Sequence, residues 1–162
     1  MTVASAEMAA KRSTNPWMAA LYGGVFTAVI AAAYFMLLGT NTPILWGLAL
    51  ILIGAGPVLG YQAAAGKLGK EWGAIVGGIL GGILPIVGEL IFWPLFVWIF
   101  ARQHSLGRLY LGSILGIILG VIVFLLFGFL MGQNPEAWFG PAWAFGAAMW
   151  GATAAAFRTG SE

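Results

Sequence analysis

Charge is the scarcest property of this 162-residue sequence, in which 7% of the residues are charged, against roughly 25% in a typical soluble domain. Hydrophobic residues make up 61% of the chain, and the mean hydropathy is +0.96. This composition excludes a water-soluble globular protein and a disordered chain, and it indicates a protein built for a membrane.

Cysteine and aspartate are absent, and His104 is the only histidine. The chain therefore has no disulfide or thiol chemistry, and one histidine cannot by itself supply a zinc site or a bis-histidine haem. No serine lies in a GxSxG pattern, and no phosphate-binding loop is present. We therefore expect no enzymatic activity, no metal site and no cofactor. Seven basic residues scattered over the whole length also form no patch for a nucleic acid.

What the chain does contain is long apolar runs. Four of them have about 20 to 22 residues, enough to cross a hydrocarbon core of about 30 Å. They are Trp17–Leu38, Ile44–Ala65, Tyr110–Met131 and Trp138–Phe157. A capping side chain precedes proline at Asn15-Pro16, Thr42-Pro43 and Asn134-Pro135, which predicts that helices begin at these prolines. Residues 17–157 are expected to form one transmembrane domain between cytoplasmic tails, 1–16 and 158–162.

A fifth apolar stretch, Trp72 to Phe100, is interrupted by Pro85, Glu89 and Pro94. If it crosses once, the seven basic residues are divided four to three across the membrane, whereas a hairpin places all seven in the cytoplasm, as the positive-inside rule favours. The sequence thus predicts an all-α polytopic protein of the plasma (inner) membrane with both termini cytoplasmic. It would have four full transmembrane helices plus a glycine-rich helical hairpin, with arms of about 14 to 16 residues that turn near Pro85 to Glu89.

Glycine recurs at every fourth residue in two series. One is Gly73, Gly77 and Gly81, and the other is Gly112, Gly116 and Gly120. Residues four apart share a helix face, and a face of glycines lets another helix backbone approach closely within lipid. The pattern predicts close helix packing, either inside one bundle or between subunits.

Glu89 is the only ionisable residue inside an apolar stretch. A carboxyl group at membrane depth is costly unless it is protonated, paired or hydrated, so it is a candidate proton or cation site. The other polar group of interest is the short loop with Arg102, His104 and Arg108, which is a candidate for contacts with anionic lipids or with an acidic partner.

Two functions fit these features. The first is a small structural or assembly subunit that packs through its glycine series with itself or with other membrane subunits. The second is a transporter or channel component that uses the hairpin and Glu89. Membrane lipids are expected partners in both cases.

Overall fold

The computed structural model describes residues 14–38, 43–84, 86–132 and 134–159, and all regular structure in these ranges is helical. The predicted all-α class is therefore confirmed for the described residues. The described residues form seven α-helices: α1 (Pro16–Leu38), α2 (Pro43–Leu52), α3 (Gly56–Ala64), α4 (Trp72–Gly81), α5 (Trp93–Phe100), α6 (Leu106–Met131) and α7 (Pro135–Arg158). A 3₁₀ turn, Ile53–Ala55, joins α2 to α3, and a π-helical segment, Gly88–Phe92, leads into α5.

Three helices begin at the prolines that the sequence indicated, namely Pro16, Pro43 and Pro135. The Asn15 side chain caps α1, because its Oδ1 accepts the Trp17 N–H at 2.9 Å. Asn134 makes no such bond to α7, and Thr42 lies outside the described residues. Proline alone therefore marks the start of α7, where a missing N–H costs nothing.

Three segments are long and apolar enough to cross a membrane: Pro16–Leu37, Gly47–Ala64 and Leu106–Met131. The predicted fourth span, Trp138–Phe157, forms a helix of sufficient length but is not among these three. Its hydropathy is lower than that of the other three, because many of its residues are alanine and glycine, and it packs against α1, α3 and α6. A helix surrounded by protein can use alanine and glycine for close contacts in place of large lipid-facing side chains.

The connection between α2 and α3 follows from Pro57. Proline has no N–H, so the Ile53 carbonyl loses its usual α-helical partner. The Gly56 N–H donates to that carbonyl instead, which tightens the helix into the 3₁₀ turn at Ile53–Ala55. Gly47–Ala64 therefore counts as one apolar segment despite the break, with 18 residues.

Helix α4 and the segment Gly88–Phe100 lie antiparallel as a helical hairpin, hereafter the hairpin. A methyl group placed on Gly73 would lie 2.9 Å from the Phe100 carbonyl oxygen, and one placed on Gly77 would lie 2.6 Å from that of Phe96. The arms are shorter than expected, with 10 residues in α4 and 5 π-helical plus 8 α-helical residues on return. They span about 15 and 20 Å. Pro85 lies outside the described residues, and the turn residue Ile86 has a positive φ of 65°.

The centre of the bundle is aromatic. Trp93 and Trp150 are almost completely buried and pack edge to face with their ring centroids 5.4 Å apart. The Trp93 indole N–H donates to the Gly54 carbonyl at 2.7 Å. These contacts attach the hairpin to the α2–α3 junction on one side and to α7 on the other.

Candidate functional site

Glu89 lies in the first turn of the π-helical segment, at the tip of the hairpin. The extra residue of a π-turn is a recurrent feature of functional sites. Three residues before Glu89, Ile86 adopts a left-handed backbone conformation that β-branched residues rarely accept, and such strain persists only where the surrounding structure holds it. The local backbone at Glu89 is therefore irregular on both counts.

Ser113 of α6 fixes this tip to the rest of the bundle. Its hydroxyl donates to the Glu89 backbone carbonyl and accepts the Trp150 indole N–H at 3.0 Å. The π-turn leaves backbone carbonyls outside the regular helical pattern, so an external donor at this position stabilises it. Trp150 links Ser113 in turn to Trp93 and the bundle centre.

Ser113, Trp93 and Trp150 were not among the residues expected at this site from the sequence. A signal for Ser113 was present, since it is a polar residue in a long apolar helix and directly follows Gly112 of the glycine series. Nothing in the pattern distinguished the two tryptophans from those expected at the membrane interface.

A cavity of about 390 Å³ lies between the hairpin tip and the middle of α6 and α7. Among the described residues that line it, Glu89 is the only ionisable one. The remaining walls are aliphatic, aromatic or glycine, and the aromatic part consists of Phe124, Phe139, Trp143 and Trp150. Among the described residues, no basic side chain forms a salt bridge with the Glu89 carboxylate. The site is thus a single acid in an otherwise apolar, aromatic chamber.

The position of Glu89 along the bundle follows from the length of the returning arm. Glu89 precedes Phe100, the last residue of α5, by eleven positions, which corresponds to about 16 Å along the helix axis. Tyr110, near the start of α6, donates its hydroxyl to the Ile91 carbonyl at 3.0 Å, consistent with this level. Ser113, whose hydroxyl meets the Glu89 carbonyl, is the eighth of the 26 residues of α6, so Glu89 lies roughly a third of the way along this helix, nearer its beginning.

All six glycines of the two series contact helices of the same chain. Gly73, Gly77 and Gly81 face the returning arm of the hairpin, at Phe100, Phe96 and Trp93. Gly112, Gly116 and Gly120 face α7, at Phe157, Trp150 and Gly146. The two series thus serve packing inside one bundle, which was one of the two expected uses.

A second polar cluster, the Arg158 cluster, closes the opposite end of the hairpin. Arg158 is completely buried, and its Nη2 lies 3.1 Å from Glu71 Oε2 and 3.0 Å from His104 Nε2. Its guanidinium carbon is 4.4 Å from the centre of the Tyr61 ring. Because arginine can only donate, His104 Nε2 is the acceptor of this bond. Gln62 strengthens the same end by accepting the Gly69 N–H and donating to the Glu71 carbonyl.

The sequence predicted that Arg102, His104 and Arg108 contact lipid or a partner, but His104 belongs to the buried Arg158 cluster. Arg102 and Arg108 are exposed, and the Arg102 guanidinium lies 5.6 Å from the Trp98 ring centre. His104, in contrast, is 2% exposed and contacts Arg158 and Tyr61 in the interior. In this structure two of the three residues lie on the surface where lipid or a partner could reach them. Arg158, assigned from the sequence to the C-terminal tail, is the last residue of α7.

No group of three or more histidine, cysteine, aspartate or glutamate side chains with metal-binding proximity occurs in the described ranges. In comparisons with known proteins, the chain matches no family model, no curated protein and no solved structure. The functional interpretation therefore depends on the geometry of the site.

Proposed function

We propose that this protein is a non-enzymatic, multi-pass component of a membrane transport system, located in the plasma (inner) membrane, with Glu89 as its proton or cation site. The observation that carries this proposal is the position of Glu89 at the tip of the hairpin, away from both ends of the long helices and in the wall of the cavity. An acidic side chain at membrane depth is a functional candidate by default, because its desolvation is costly and needs compensation.

The length of the hairpin supports this role. Arms of about 15 and 20 Å cannot cross a hydrocarbon core of about 30 Å, so the hairpin would enter and return on the same side. Its turn would then lie near mid-depth, where non-helical backbone is tolerated only inside protein or beside a water-filled cavity. Interrupted helices of this kind form the binding sites of many transporters and the selectivity elements of channels.

The charge distribution supports an orientation with both termini in the cytoplasm. Lys67 and Lys70 precede the hairpin, while Arg102 and Arg108 follow it, and the Arg158 cluster joins these two loops to the end of α7. The basic loops therefore share one end of the bundle. Under the positive-inside rule that end faces the cytoplasm, and α1, α2–α3, α6 and α7 make the four crossings.

Reporter fusions test this orientation. A reporter joined after residue 104 and another at the C-terminus should both report the cytoplasm. An external signal from both fusions would contradict the proposed topology. A fusion after Gly132, at the other end of α6, provides the matched external control.

Flux measurements test the role of Glu89. Purified protein in liposomes should conduct protons down an imposed pH gradient, as followed by an internal pH dye, at a rate above that of empty liposomes. Glu89→Gln should reduce the protein-dependent rate by at least about tenfold, because the amide cannot bind and release a proton. Glu136→Gln removes an exposed acid outside the cavity and should leave the rate unchanged. A Glu89→Gln rate equal to the wild-type rate would refute the proposal.

The alternative role, a structural or assembly subunit, requires a different contact surface from the one first expected. The six glycines that suggested it are occupied by α5 and α7 of the same chain. Assembly with further subunits would therefore use other, lipid-facing sides of the bundle, for which no comparable packing pattern is present among the described residues.

A further inference from the structure

The walls of the Glu89 cavity define a class of ligand more specific than a proton or cation in general. We infer that the cavity binds a small organic cation with an apolar body, such as an aryl or alkyl quaternary ammonium ion. This inference rests on the proposed transport function of the same site and adds the identity of its substrate class.

The oxygen atoms available in the cavity argue against a metal cation. Calcium takes six to eight oxygen ligands, and magnesium requires six in octahedral geometry, as general coordination chemistry dictates. Among the described lining residues, only Glu89 has side-chain oxygens, two in number, and its backbone carbonyl oxygen is already bonded to Ser113. A dehydrated metal ion would be poorly coordinated here, whereas an organic cation brings its own apolar surface and needs no oxygen shell.

The charge of the site favours a cation over a neutral molecule. No basic side chain of the described residues pairs with the Glu89 carboxylate, and Ser113 is engaged with the backbone carbonyl of Glu89 instead. A carboxylate in an apolar chamber gains most from a ligand that supplies the missing positive charge. An alkylammonium group also loses less hydration energy on entry than a bare metal ion does.

The aromatic lining fits the same ligand class. Aromatic rings attract cations through their quadrupole, and quaternary ammonium groups are commonly recognised by cages of such rings. Phe124 and Phe139 pack edge to face at 5.2 Å, and Trp150 is held by its bond to Ser113. These contacts restrict the movement of the rings before any ligand arrives, which lowers the entropic cost of binding.

The size of the cavity sets an upper limit on the ligand. A volume of about 390 Å³ is within the range of pockets for small organic molecules, near its lower end. Benzyltrimethylammonium has a quaternary nitrogen, which would pair with the Glu89 carboxylate, and an aromatic ring, which would pack against the apolar and aromatic lining. Its carbon isostere neopentylbenzene has the same shape without the charge.

Isothermal titration of the full-length protein in mild detergent tests the inference with these two probes. Wild-type protein should bind benzyltrimethylammonium saturably at pH 8. Glu89→Gln should weaken this binding by at least about tenfold and leave the binding of neopentylbenzene unchanged. The matched control Glu136→Gln should bind both probes as the wild type does. The same result is expected for Trp17→Leu, which removes a highly exposed tryptophan outside the cavity.

A second variant covers the case in which Glu89→Gln fails to fold. Ala147 lines the cavity, so Ala147→Leu should occupy part of its volume and abolish saturable binding of benzyltrimethylammonium while Glu89 remains present. Equal affinity of wild type and Glu89→Gln for the cation, or unchanged binding by Ala147→Leu, would overturn the inference. If the cation does not bind but Glu89-dependent proton flux persists, the substrate class is wrong and the transport function stands. If neither is observed, both proposals are wrong.

Discussion

Replacement of Gly77 by alanine tests the close contact between the two arms of the hairpin. The new methyl group would lie 2.6 Å from the Phe96 carbonyl oxygen, 2.8 Å from the Phe96 carbonyl carbon and 3.0 Å from the Val97 nitrogen. All three neighbours are backbone atoms, so they cannot rotate away as a side chain can. The arms must separate by several tenths of an ångström, and overpacking of this kind costs about 1 to 3 kcal/mol.

Gly47 provides the matched control, because an added methyl group there meets no atom of the described residues within 4 Å. Alanine gains about 1 kcal/mol of helix propensity over glycine at either position. This gain cancels in the comparison, so the difference between the two variants measures the steric cost alone.

Thermal unfolding in detergent, followed by tryptophan fluorescence, gives the comparison. Gly77→Ala should unfold roughly 2 to 12 °C below Gly47→Ala, from about 1 to 3 kcal/mol at 2 to 4 °C per kcal/mol for a chain of this size. Equal transition temperatures would mean that the arms of the hairpin do not approach as closely as described, and the account of the glycine series would then be wrong.

Two further predictions concern the polar contacts that hold the hairpin. Glu71→Gln removes the carboxylate that pairs with the buried Arg158 guanidinium, so it should lower the unfolding free energy by about 3 kcal/mol, whereas the exposed Glu136→Gln should not change it. Equal unfolding midpoints for the two variants in a denaturant titration would contradict a structural role for the Arg158 cluster. Ser113→Ala removes the donor to the Glu89 carbonyl and the acceptor for Trp150, so amide hydrogen exchange at residues 86–92 should accelerate by about tenfold, from a loss of about 1 to 2 kcal/mol. Exchange at wild-type rates would show that Ser113 does not hold the tip.

The helices and their approximate ends were predictable from local features. Apolar length and proline positions indicated where α1, α2 and α7 begin, since both properties act over a few residues of chain. The prediction of a membrane span in α7 was the exception, since this helix is less apolar than expected. Its predicted span has the length to cross but not the hydropathy of the other three, because it packs among neighbouring helices and contains many small residues.

Local composition also singled out Glu89, because an acidic residue in an apolar run is conspicuous whatever the fold. It did not identify the groups around it. Ser113 lies 24 residues away in the chain, and the distance between Glu71 and Arg158 is 87 residues. Hydropathy reports the depth of a residue in the bilayer, but a lipid-facing side and a helix-facing side are equally apolar. The pattern therefore could not show which helix each side meets.

The membrane character, the helical class and the isolated acid thus follow from the composition and order of the residues, because each depends on short-range properties of the chain. Helix packing decided the rest. It brought the two arms of the hairpin together through glycine, buried His104 beside Arg158, and opened the aromatic cavity next to Glu89. These features depend on which backbones can approach one another in three dimensions, and that is settled by the fit of whole helices.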